Sequence, residues 1–261
     1  MNSHIMEETP GAQSLRRALH LLRLLAEHQE EGIRLTAVMA ASGLERSTAH
    51  RMLSCLVEER FAERDADTKA YRLGIDAMQL GFASMRRVPL VDACRPLMQR
   101  LARLSGDTVF LVIRQGDYCL CLHREEGHFP VKVFTIDVGG RRLLGLGAGG
   151  LALMATLADT EVERIFKRHA AEYAQAGFSR ERLLQAVRRT RTQGWADTVD
   201  TLTAGVSGVG STFAASPSTC AAISFGAITP RLPPARKKEL AQMLKTELTP
   251  APRQKRTGKV A

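Results

Sequence analysis

No stretch of the chain reaches the roughly 18 uninterrupted apolar residues of a membrane span, which argues against a helical membrane protein. Cysteines are few and odd in number. Five of them at irregular spacing do not fit a secreted disulfide framework. Residues 1–13 are polar and lack the apolar core of a signal peptide, so a cytoplasmic protein is expected. No spacing suggests a nucleophile–base pair or paired catalytic carboxylates, so an enzyme is not expected. Asp197, Asp200, Ser207, Ser211 and Ser224 nonetheless place acids and hydroxyls in the last third. Aromatic residues are only 5%, but 44% hydrophobic content over 261 residues suffices for one large or two ordinary domains.

One local absence says more. Residues 46–57 contain no Asp or Glu, whereas a solvated helix face normally mixes both signs. Within this segment Ala49, Met52, Leu53 and Leu56 follow the i, i+3, i+4, i+7 spacing of a helix packed on one side. Between them lie Arg46, Ser47, Thr48, His50, Arg51 and Ser54, all hydrogen-bond donors. A shorter helix over residues 36–42 fits in front, with Thr36 as its cap and Gly43 as its stop. Behind it, residues 61–64 and 71–73 read as strands around a polar turn at 65–69. Two helices about a glycine turn, followed by a hairpin, form the winged helix-turn-helix pattern. A first helix with Leu15, Ala18, Leu19, Leu22 and Leu25 completes this unit over residues 14–74.

The net charge of +10 points to polyanions, but it is not concentrated here. Residues 14–87 hold twelve Lys and Arg against ten Asp and Glu. The placement of cations on one helix face is therefore the stronger argument. DNA-contact candidates are Arg46, Ser47, Thr48, His50 and Arg51, with Lys69 and Arg72 on the hairpin touching the phosphate backbone.

Residues 75–85 have helical apolar spacing, and Pro89 interrupts the pattern, so 75–88 reads as a linker helix. A helix over 90–104 contains Pro96, which predicts a kink or a late start. Strands follow at 109–113, 118–122 and 131–138, then a glycine-rich stretch at 139–150. Helical periodicity covers 151–158, 161–176 and 180–193. Small-residue strands at 205–215 and 220–228 precede a last helix at 235–248. This order gives an α+β domain over 89–248 with a mainly antiparallel sheet. The tail, 249–261, is basic, has no core-forming content and is expected to be disordered.

Several of these segments resemble one family. The block Gly43-Leu44-Glu45-Arg46-Ser47-Thr48-Ala49-His50-Arg51-Met52-Leu53, followed by Leu56-Val57-Glu58-Glu59, is similar to the recognition helix of the IclR-type (isocitrate-lyase-regulator) transcriptional regulators. Ala93-Cys94-Arg95-Pro96-Leu97, the stretch from Ala148 to Ala155, Gly194-Trp195-Ala196, Gly205-Val206 and Ala221-Ala222-Ile223-Ser224 resemble later blocks, in the family's order. The resemblance covers residues 14–248. It implies a GAF-like C-terminal domain, dimers or tetramers on a pseudo-palindromic double-stranded operator, and control of catabolic genes by a small organic acid or aromatic effector. No other cofactor is implied. Effector-contact candidates are Leu144, Gly147, Ala148, Gly149, Cys121, Asp197, Thr198, Gly208 and Ser211. The chain departs from the family at Thr198, where an Asp is common, at Gly208, where Cys or another side chain is common, and at Gly147, in place of Thr or Ser. The two glycines predict a cavity wider than one shaped for a two-carbon acid. The alternative is a small-molecule-binding module, or an enzyme, on the same C-terminal domain, with the N-terminal half used for protein contacts.

Two other patterns carry weaker signals. Residues 145–150 satisfy G-x-G-x-x-G, but no strand is predicted to run directly into the first glycine, and no parallel βαβ unit is indicated. Glycines that let a ligand approach the backbone, or a loop needing positive φ, are the preferred explanations. Cys119, Cys121 and His123 alternate on one strand face and have metal-binding chemistry, but spacing supplies no fourth ligand. Buried thiols are the expected outcome.

Overall fold

The computed structural model describes residues 11–85, 89–201, 203–216 and 219–248. The expected tail at 249–261 and the last linker residues, 86–88, lie outside these. The chain divides into two compact units between Val88 and Pro89. Among the described residues no helix is long and apolar enough to cross a membrane.

The first unit contains α1 (Gln13–Glu27), β1 (Ile33–Arg34), α2 (Leu35–Ser42), α3 (Arg46–Glu58), β2 (Ala62–Arg64), β3 (Ala70–Leu73) and α4 (Ile75–Met85). Leu21 and Leu25 of α1, Val38 of α2, and Leu53 and Leu56 of α3 meet Ile33, Ala62 and Tyr71 in one core. Gly43 ends α2 at φ +67°, the left-handed conformation expected of a stop. Thr36 is not the cap: α2 starts at Leu35 and its N-cap is Arg34. The physical reason is β1, whose Ile33 and Arg34 pair with Tyr71 and Ala70 of β3. The chain passes from strand straight into helix, with no separate capping turn. The β2–β3 turn is closed by Asp65 Oδ1, which accepts from Asp67 N at 3.0 Å, Thr68 N at 2.7 Å and Thr68 Oγ1 at 2.8 Å.

The second unit runs α5 (Pro89–Ser105), β4 (Thr108–Gln115), β5 (Tyr118–Glu125), β6 (Arg141–Leu143), α6 (Ala148–Ala155), α7 (Asp159–Arg168), α8 (Ala170–Gln175), α9 (Arg180–Gln193), β7 (Ala196–Val199), β8 (Val206–Ser216), β9 (Thr219–Ile228) and α10 (Pro234–Leu248). Its six strands are ordered β6-β5-β4-β9-β8-β7. Every pairing in this sheet is antiparallel. Phe110 and Val112 of β4 enter a core shared with Leu151, Leu153 and Met154 of α6 and with Leu183 and Val187 of α9. The alternate residues Val109 and Leu111 are fully buried. The pleat turns them to the other face, where α5 crosses β4. α5 begins at Pro89 and continues through Pro96, so the expected late start does not occur.

The expected third strand at 131–138 is not formed. Val131, Phe134 and Val138 are exposed, and the segment is irregular. The free edge of β5 is taken instead by residues 139–143. Gly139 N donates to Cys121 O, Cys121 N donates to Gly140 O, and β6 pairs with Tyr118, Cys119 and Leu120. The β5 edge that 131–138 was expected to join is therefore already occupied.

α6 rests directly on the sheet because glycines remove the intervening side chains. A Cβ at Gly149 would lie 2.8 Å from Val112 Cγ2, and one at Gly210 would lie 2.9 Å from the backbone of Ala148. This close approach brings the first turn of α6 over the middle of the sheet.

Candidate DNA interface and ligand cavity

On α3, Ala49, Leu53 and Leu56 are buried while Arg46, Ser47, His50 and Arg51 are exposed and Thr48 is half-buried. Packing has thus consumed the apolar stripe and left the donor-rich stripe to solvent. Neither the Arg46 nor the Arg51 side chain makes a hydrogen bond or ion pair with another described residue. On the hairpin, Lys69 is exposed, with φ +59° and its amine folded onto Ala66 O at 2.5 Å. Arg72 is committed within the fold. Its Nη2 donates to Glu31 O at 3.0 Å and Glu30 O at 3.4 Å, and its Nη1 lies 3.8 Å from Asp65 Oδ2. Arg46, Ser47, His50 and Arg51 therefore share one open face, and Arg72 ties the hairpin to the loop after α1.

In the second unit a cavity of about 60 Å³ lies between the first turn of α6 and the sheet. Gly147, Ala148, Gly149, Thr198 and Gly208 line it, together with Phe110, Val112, Cys119, Arg142 and Ser224. Four expected contact residues lie elsewhere. Leu144 is fully buried, and its carbonyl accepts from Tyr173 Oη at 2.6 Å. Cys121 is buried, with its thiol on His123 O. Asp197 pairs with Lys237 Nζ at 3.2 Å and with Arg189. Ser211 faces a separate groove beside Trp195. Strand alternation separates neighbours here: Thr198 reaches the cavity and Asp197 reaches α10.

The two unusual glycines do not widen the cavity. A Cβ at Gly147 would lie 3.0 Å from Arg142 Nη1, so the guanidinium fills the space the missing side chain leaves. Gly147 also sits at φ +85° and ψ 150°, a region essentially restricted to glycine. A Cβ at Gly208 would meet Phe225 O at 3.0 Å and Ala148 Cβ at 3.1 Å, so helix packing explains that glycine. The two glycines therefore lend no support to the expectation of a wide cavity.

Ser224 was not among the expected contacts; from the sequence, Arg141 and Arg142 stand at the mouth of the glycine-rich loop, placed either to attract an anion or to be solvated, and the structure turns Arg142 into the cavity. Arg142 pairs in register with Cys119, and only that pairing turns it inward. Burial lowers the Arg142 pKa, with the neighbouring Cys119 and Cys121 acting in the opposite direction. Burial likewise pushes the thiols of Cys119 and Cys121 up to about 11 each, so both are neutral near pH 7. His123 Nε2 lies 2.8 Å from Glu125 Oε1. Among the described residues no three potential metal ligands cluster. The glycine-rich motif does follow a strand after all, since β6 ends at Leu143, but the sheet around it is antiparallel and Gly150 lies inside α6. The geometry of a dinucleotide site is absent from it.

Both units are similar to known proteins. Residues 82–248 match the family model described as the bacterial transcriptional regulator IclR C-terminal domain, and residues 14–66 match the IclR helix-turn-helix domain. The HTH-type transcriptional regulator BhcR of Paracoccus denitrificans is 34% identical over 166 residues, covering 64% of this chain and 58% of that regulator. The transcriptional repressor IclR of Escherichia coli is 26% identical over 191 residues, covering 72% of this chain and 69% of the repressor. An IclR family transcriptional regulator from Brucella abortus shares the fold, with a TM-score of 0.82 at 20% identity over 95% of this chain and 94% of its own. A helix-turn-helix match joined to a C-terminal match over more than half the residues, in a chain folded as two corresponding units, shows that this protein belongs to the IclR family of bacterial transcriptional regulators.

Proposed function

We propose that the protein is a ligand-responsive regulator that binds operator DNA through α3 and a small organic effector through the cavity beneath α6. Residues 14–74 read the DNA, 75–88 link, and 89–248 respond to the effector. The observation that carries this reading is the open face of α3, where two arginines stand on an acid-free segment, residues 46–57, with no side-chain partner among the described residues. Such a face fits the major groove, whose base edges accept bidentate arginine contacts. A cavity sized for a small metabolite fits control of catabolic genes. The effector acts to the extent that it binds DNA-competent and incompetent arrangements differently. Footprinting of the protein on DNA upstream of its own gene tests this. The expected result is a protected pseudo-palindrome with half-sites about one helical turn apart, or a multiple of it. Protection that ignores sequence overturns the reading.

A two-fold dimer is part of the proposal. Ile75, Met78, Leu80 and Phe82 on α4 are 47%, 49%, 60% and 59% exposed, an apolar surface of the kind that a second copy covers. The double variant Leu80→Glu, Phe82→Glu should sediment as a smaller species than the parent at equal concentration. An unchanged sedimentation coefficient removes α4 from the interface.

A further inference from the structure

The cavity contains a cation without a counter-charge. Arg142 reaches it from β6, and its single side-chain hydrogen bond goes to Thr135 Oγ1 at 3.5 Å. It forms no salt bridge with any described residue, and no Asp or Glu lines the cavity. Other half-buried arginines of the same unit are paired: Arg231 and Arg236 both bind Asp107. An arginine does not shed its proton to escape burial, so the desolvation cost remains until an anion arrives.

Two further features on the same wall are donors. Ser224 is 6% exposed and lines the cavity, and its hydroxyl makes no hydrogen bond with any described residue. Its Oγ lies 3.1 Å from where a Gly149 Cβ would be, which places it against the first turn of α6. The first-turn N–H groups of Ala148, Gly149 and Gly150 have no acceptor within the helix, and Gly147 caps α6 without a side-chain bond.

Resting on the cavity as the effector site, we propose that Arg142 is its specificity-determining residue and selects a carboxylate, with Ser224 Oγ and the α6 N–H groups sharing the second oxygen. A carboxylate is acceptor-only and planar, matching a guanidinium fork set against further donors. The corresponding primary amide presents an NH₂ to a wall of donors and is rejected.

The test uses the full chain with acetate, propionate and lactate, each beside its primary amide, followed by calorimetric titration and thermal unfolding. The parent should bind acids and reject amides. Arg142→Gln should bind the best acid roughly 10- to 100-fold more weakly, the usual worth of a charged hydrogen bond. Arg142→Lys should recover part of that loss, and Ser224→Ala should lose less. The distinguishing readout is the unliganded protein: Arg142→Gln removes an uncompensated charge, so its Tm should equal or exceed the parent's, which a purely structural arginine would not allow. Equal acid affinity in the parent and Arg142→Gln overturns the role of Arg142 while leaving the cavity as the effector site. Amides bound as tightly as acids overturn anion selection. Binding of neither set overturns the cavity reading as well.

Discussion

Asp107→Ala should destabilise the second unit by about 3–5 kcal/mol, the cost of breaking a buried ion pair from one side. The side chain of Asp107 is 1% exposed; its Oδ1 accepts from Arg231 Nε at 2.8 Å and its Oδ2 from Arg236 Nη2 at 3.1 Å. Both guanidinium groups also donate to Ser105 O, at 3.3 Å and 2.6 Å. The carboxylate therefore joins the end of α5, the entry to β4, the 3₁₀ turn at Thr229–Arg231 and α10. Its removal leaves two cations facing one carbonyl, and Arg236 Nε is already buried without a partner. Arg231 keeps its long bond to Ser105 O and its stacking on Phe129, at 3.7 Å from the ring centre. Urea denaturation of the full chain checks this: the midpoint should fall with the slope unchanged. A shift equivalent to less than about 1 kcal/mol would show that the arginines find other acceptors at little cost.

What could be read from the sequence tracks the strength of each local signal. α3 and α4 carry full apolar stripes, and the spacing places them where they form. β1 has two residues, too few for any period, yet it decides where α2 begins. The stretch at 131–138 shows the reverse: a good alternating pattern that forms no strand, while Gly139, Gly140 and β6 take the edge of β5. β7 is illegible because Ala196–Val199 is short and polar, so Asp197 and Thr198 read as ligands instead of as strand residues. In the cavity, the glycines of the loop and of β8 are legible as positions, but their purpose is not. Whether a missing side chain opens space or admits a neighbour depends on the tertiary partner. At Gly147 that partner is Arg142, and at Gly208 it is Ala148. The same limit hides the inward direction of Arg142, which is set by register with Cys119.

The α3 face carries the largest expected functional effect. Arg51→Ala should weaken binding to the specific operator by ~1–3 kcal/mol, the worth of one bidentate base contact. The substitution should leave the fold intact, because the Arg51 side chain is exposed and without an internal partner, and the helix is anchored by Ala49, Leu53 and Leu56. Lys69→Ala should behave differently. The residue is exposed on the hairpin turn, and its amine needs only to leave Ala66 O to reach a phosphate. Losing a phosphate contact lowers affinity for every sequence and reduces the slope of log K against log salt by about one. Anisotropy titrations on operator and scrambled duplexes, at several salt concentrations, separate the two behaviours. Arg51→Ala should narrow the gap between the duplexes, and Lys69→Ala should lower both curves together. If both variants bind both duplexes as the parent does, at unchanged Tm, DNA does not bind this face.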